Sequence, residues 1–297
     1  MTLTIIDTET VYRRLLDTPD AARREAIYRD DLLAPFAGMF RVFGGGDPLV
    51  QAKGWTLYTP EEFAGDARPA IVSILDRLGA ADAWRKTTAA LERGVAAFAP
   101  YADRIPLETV TCALVIADKE RAHPLDRGYT GFGGIPGYVL VVYSDPNDYT
   151  LPRIGGATVH ELNHNVRFAV YPFNPMTVTI GEYIVAEGLA EAFAVELYGE
   201  EVAGYYVTDF DEGDLTTAQR VIGGALDATG FDAVRGYIFG DTIAARMGLP
   251  LVGAPDYAGY AMGYRVVRQY LERTGTTAAA ATFVPAAEII AASGFFA

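Results

Sequence analysis

The chain holds three histidines, and two of them stand one helical turn apart in His160-Glu161-Leu162-Asn163-His164. Side chains four apart on an α-helix share a face, so both imidazoles can reach one ion. Neutral imidazole suits Zn2+ at about 2.0–2.1 Å, and a zinc site open to water lowers that water's pKa to near 7. Glu161, beside the first histidine, is placed to take the water's proton as general base. The plain alternative is two histidines and a glutamate on an ordinary helix face. The scarcity of histidine and the helical context weigh against it.

A catalytic zinc needs a third protein ligand and a free position. No histidine follows His164, His123 lies upstream in a loop, and the single cysteine, Cys112, falls in a predicted core strand. Carboxylates remain. Ala186-Glu187-Gly188-Leu189-Ala190-Glu191 sets two glutamates four apart on one face of an otherwise apolar helix. Acidic side chains are rarely fully buried unless paired or metal-bound. Glu187 as ligand and Glu191 as hydrogen-bond acceptor for a ligand imidazole accounts for both. The roles can be exchanged, with Glu191 as the ligand, and a solvated acidic face is the plain reading.

Taken together, His160-Glu161-x-x-His164 and Glu187-x-x-x-Glu191 resemble the gluzincin metallopeptidases. In that family a glutamate on a second helix completes the site, and the acidic residue one turn later, here Glu191 in place of the commoner aspartate, supports the first histidine. More closely, the chain resembles a family of zinc-dependent proteases classified mainly as a domain of unknown function. The stretches that carry this likeness run from Ala157 through Arg167, from Ala186 through Glu191, and along Tyr257-Ala258-Gly259-Tyr260-Ala261-Met262-Gly263-Tyr264. The resemblance covers roughly residues 90–275 and implies an α+β, zincin-like fold. In such a fold a small twisted sheet packs on the helix that carries His160 and His164, and a helical C-terminal lobe closes the cleft.

The elements that must position these residues are legible in outline. Length suggests about two domains: a mostly helical N-terminal region, 1–100, and a zincin-like metallopeptidase domain, 101–297. Helices are expected over 67–78, 81–98, 152–169, 181–197, 217–226 and 257–271, and along the apolar run that follows Asp30-Asp31 to Phe43. Runs rich in β-branched residues predict strands at 109–116 and 138–143. The second of these is either an ordinary core strand or, in the arrangement the resemblance implies, an edge beside the site able to hold an extended peptide by strand addition.

Composition narrows the function. Hydrophobic residues make up 51% of the 297 and charged residues 21%, which excludes a disordered chain. A net charge of −14 argues against nucleic acid as a partner. The longest uncharged stretch, 128–144, is broken by five glycines and a proline, so no membrane span and no targeting segment is expected, and a cytoplasmic location is the default. Gly131-Phe132-Gly133-Gly134-Ile135-Pro136-Gly137 lacks the following helix that a phosphate loop requires and reads as a flexible loop at the cleft. The acidic stretch from Asp209 to Asp214 departs from calcium-loop spacing and reads as a solvated loop.

The expected activity is therefore a zinc-dependent peptidase acting on a peptide or protein substrate. Its tetrahedral intermediate needs an oxyanion donor. Tyr264 and then Tyr260, four apart on one helix face, are the candidates, although packing tyrosines with a polar tip are the commoner case. Arg265 and His123 read more simply as solvated side chains. Two rival readings are a zinc-containing regulatory or peptide-binding protein without turnover, which would not need Glu161, and a zinc hydrolase of a non-peptide amide.

Overall fold

The computed structural model describes residues 1–122 and 127–297, and His123, expected in a loop at the cleft rim, lies outside them. Four short segments form strands: β1 (Thr2–Ile5), β2 (Thr109–Ile116), β3 (Tyr129–Phe132) and β4 (Tyr138–Tyr143). They make one mixed sheet in the order β1-β2-β4-β3. β1 runs parallel to β2 with Thr2 opposite Thr109, and β2 runs parallel to β4 with Thr111 opposite Tyr138. β3 returns antiparallel to β4, with Gly131 opposite Val141. The two central strands are buried almost throughout, which is why they read as continuous apolar runs rather than as alternation.

The structure corrects or decides four expectations. β4 is interior and β3 is the outer strand beside it. The stretch expected as a flexible loop from Gly131 is in part that strand, too short and too glycine-rich to register as a β run. β1 opens a region expected to be helical, because its pairing partners begin only at Thr109 and leave no local signal. The run expected as a single helix up to Phe43 is also split. A π-type turn at Tyr28–Leu33 and a 3-10 turn at Ala34–Phe36 precede the helix Ala37–Val42. Pro35 has no N–H with which to continue the helical ladder.

The chain divides into two compact units. The first, Met1–Val95 with Leu107–Glu161, holds the whole sheet. In it α1 (Thr8–Asp17) is tied to the end of β2, where the Tyr12 hydroxyl accepts the Ile116 N–H at 3.2 Å. It also contains α2 (Arg68–Ala80) and most of α3 (Ala83–Phe98), both close to their expected bounds. α4 (Ile154–Val170) starts in this unit and continues into the second, Ala96–Pro106 with Leu162–Ala297.

The second unit is helical. Its centre is α5 (Ile180–Tyr198), crossed by α7 (Ala258–Thr274), with α6 (Phe231–Phe239) beside them. α5 is apolar on every side and buried along most of its length, as a helix without a solvent face must be. A reciprocal cap starts it: Thr179 Oγ1 accepts the Glu182 N–H at 3.1 Å, and Glu182 accepts the Thr179 N–H at 2.9 Å. At the crossing with α7, a Cβ on Gly188 would overlap the carbonyl of Gly263, and one on Gly263 would overlap the carbonyl of Ile184. The two backbones meet because both positions lack a side chain. Among the described residues no helix is long and apolar enough to cross a membrane.

Candidate metal centre

α4 is fixed at both ends. Ile154, Val159, Leu162 and Val166 are fully buried along one stripe, and Thr158 Oγ1 donates back to the Ile154 carbonyl at 2.7 Å. Towards its C-terminus the helix is bound to the segment at Thr282. Asn163 Nδ2 donates to Thr282 Oγ1 at 2.9 Å, and the buried Arg167 guanidinium donates to the carbonyls of Thr282 and Val284 at 2.8 and 2.6 Å. Burial lowers the Arg167 pKa to about 10, and the hydrogen bonds it donates to those carbonyls replace part of the water it has lost. These contacts hold the face carrying His160 and His164 in one orientation.

That face and α5 bring three ligand groups together. One donor atom from each of His160, His164 and Glu187 lies within 4.8 Å of the other two. His164 Nε2 and Glu187 Oε2 are 3.4 Å apart. Tetrahedral zinc with bonds of about 2.0–2.1 Å separates its ligand atoms by roughly 3.3–3.5 Å, so this spacing is that of two ligands on one ion. Both histidines are buried and the Glu187 side chain is 14% exposed, so the donor set is two imidazoles and a carboxylate with limited water around it. The residues fit zinc. Phe168, one turn beyond His164, stacks on its ring with centroids 5.3 Å apart and planes 4° from parallel, which fixes the imidazole plane.

Glu161 projects from α4 towards β3. A Cβ on Gly131 would overlap the Glu161 carboxylate, and one on Gly133 would overlap the Glu161 carbonyl. Gly131 of the outer strand thus makes the room in which this carboxylate sits, and Gly133, just past the strand, lets the chain approach the Glu161 backbone. Residue types alone did not disclose this contact; the signal was glycine at alternate positions.

Glu191, 3% exposed, accepts the Gly204 N–H at 2.5 Å and the Tyr206 hydroxyl at 2.8 Å. Tyr206 in turn packs its ring against Tyr260, centroids 4.4 Å apart, and Phe239 lies on Tyr260 at 5.9 Å. Tyr264 donates its hydroxyl to Glu200 Oε2 at 3.0 Å, and burial, followed by the Glu200 charge, pushes its phenol well above the ordinary range. Arg265 pairs with Glu212 and Arg268 with Glu200. Sequence reasoning missed Phe168, Gly204 and Tyr206. The first was findable from its helical spacing, and the other two arrive from a separate turn.

A metal that binds only the folded chain adds about 2.7 kcal/mol to its stability at a hundredfold excess over Kd. Chelation is therefore expected to lower the thermal unfolding midpoint by about 5–10 °C, followed by circular dichroism. Identical melting with zinc and with chelator would remove the ion from this centre.

The family described as "Predicted Zn-dependent protease (DUF2268)" matches residues 83–291, a span that contains His160, Glu161, His164, Glu187 and Glu191. The Uncharacterized protein YjfC of Bacillus subtilis (strain 168) is 43% identical over 193 residues, which is 65% of this chain and 64% of YjfC. The match thus spans less than two thirds of that relative's own length. No solved structure matches the chain.

Proposed function

The chain belongs to the predicted zinc-dependent protease family, and from that premise we propose that it is a zinc peptidase of zincin-like architecture in which His160, His164 and Glu187 hold Zn2+ and Glu161 is the general base. The observation that carries this reading is the group of three ligand atoms within 4.8 Å of one another, with His164 and Glu187 3.4 Å apart. Among the described residues it has three members rather than four, the number of an open, catalytic site. Zinc bound there would supply polarisation of the scissile carbonyl and a lowered pKa for water.

This chain's residues do the remainder. Glu161 takes one proton from the attacking water as the new C–O bond forms, and passes it to the amine nitrogen as the C–N bond breaks. Phe168 and Glu187 keep the His164 ring in plane. Glu191, held by Gly204 and Tyr206, is assigned to orienting a ligand imidazole. Tyr264 and Tyr260 are the oxyanion candidates: the Tyr264 hydroxyl donates to Glu200, and the Tyr260 ring borders the Tyr206 that touches Glu191. An extended peptide adds alongside β3, the outer strand, whose Gly131 backs onto Glu161.

The test is digestion of a peptide library by the zinc-reconstituted protein, with and without chelator. Cleavage that disappears on chelation and returns with zinc is expected. A fully zinc-loaded protein that cleaves no member would sink the proposal.

A further inference from the structure

Six large hydrophobic side chains stand well exposed among the described residues, and three of them lie in one short stretch: Val42 at 66%, Phe43 at 46% and Val50 at 70%. Apolar surface that clusters in this way marks a binding face more often than scattered exposure does. Phe43 does not stand alone. Its ring centroid is 5.2 Å from Trp55 and 5.7 Å from Phe132, and Trp55 and Phe132 meet edge-on at 4.8 Å. Phe132 ends β3, the strand whose Gly131 packs against the Glu161 carboxylate, and Gly133 just past it meets the Glu161 carbonyl. Side chains alternate across a strand, so with Gly131 facing Glu161 the Phe132 ring occupies the other face. The aromatic trio therefore continues the strand that backs the general base.

We infer that Phe43, Trp55 and Phe132 form a side-chain-binding subsite that selects extended peptides with a bulky apolar residue next to the scissile bond. The inference rests on the peptidase reading above. A peptide laid alongside β3 alternates its own side chains, those of one parity facing α4 and those of the other facing the rings. Residues rise by about 3.3 Å along a strand, and Phe132 sits between the two glycines that flank Glu161, so the selected side chain lies within one residue of the reacting carbonyl. Aromatic faces and edges are suited to phenyl and branched aliphatic groups and give nothing to a methyl group. Phe43 and Trp55 precede residue 83, where the family match begins, so the selectivity is contributed by the N-terminal part of this chain.

Capped hexapeptides of glycine, alanine and serine, carrying one Phe, Leu or Ala at each position in turn, provide the probe. They are titrated calorimetrically into the zinc-loaded Glu161→Gln protein and digested in parallel by the active protein. At one position the Phe and Leu peptides are expected to bind at least about tenfold more tightly than their Ala counterpart. Phe43→Ser should remove most of that factor, and Phe43→Leu, which restores an apolar group, should keep it. Phe43 is about half exposed, so neither variant is expected to shift thermal melting. Equal affinity for the Phe and Ala peptides, no binding of either, or a preference that survives Phe43→Ser would overturn the subsite. Selective binding with no cleavage by the active protein would instead refute the peptidase reading and leave the subsite standing.

Discussion

Glu161→Gln is expected to lower kcat for peptide hydrolysis by about 10²–10⁴-fold while leaving zinc affinity unchanged. A loss of that size corresponds to about 2.7–5.5 kcal/mol of transition-state stabilisation. The substitution keeps the shape of the side chain, so the space provided by Gly131 is filled as before. Glutamine cannot accept a proton at neutral pH, so the step that fails is the transfer from water to the leaving amine. Glu161 is not among the three grouped ligand residues, and metal content should therefore match the parent protein. Because the lost interaction exists only in the transition state, kcat and kcat/KM should fall together. Undiminished turnover in this variant would disprove the assigned base.

The second large effect is on stability and needs no assumption about catalysis. Gly188→Ala or Gly263→Ala would drive a methyl group into the backbone of the crossing helix, against Gly263 and Tyr264 in the first case and Ile184 in the second. Backbone atoms cannot rotate away as a side chain can, so α5 and α7 must separate along a buried contact. A cost of about 3 kcal/mol is expected, at the upper end of overpacking effects, seen as a drop in the thermal midpoint. Gly54→Ala is the control, since a Cβ there meets nothing within 4 Å. It should be neutral or slightly stabilising, because alanine restricts the unfolded chain. Equal melting of all three variants would mean that the helices do not meet through these glycines. Glu187 shares α5 with Gly188, so the Gly188 variant should also bind zinc more weakly than the control.

The helix that carries His160 and His164 was readable because its information is local. Two histidines and a glutamate within one turn carry their geometry in their spacing, and Glu187 and Glu191 stand out because α5 is otherwise apolar. The runs at β2 and β4 were equally plain, being buried on both faces. What escaped was set by distance along the chain. β1 and β3 are four residues each, and their pairing depends on partners that no local pattern announces. Misplacing the outer strand followed directly, since β4 looked like an edge only while β3 was hidden. Gly188, Gly259 and Gly263 were visible as glycines within helical stretches. Their reason, close approach to Gly263, Ile238 and Ile184 respectively, exists only in the folded chain. Tyr206 and the Phe43–Trp55–Phe132 trio are likewise assembled from separate segments.

Zinc content is the most direct test of the His160–His164–Glu187 centre. Wild-type protein, Glu187→Ala and Glu191→Gln are each equilibrated with zinc against a competing chelator, and bound metal per chain is read by mass spectrometry. One zinc per chain is expected in the wild type, with loss of that zinc from Glu187→Ala and retention in Glu191→Gln at an affinity weakened by about 10–100-fold. A wild-type chain that binds no zinc, or a Glu187→Ala protein that holds one as tightly as the wild type, would rule this centre out.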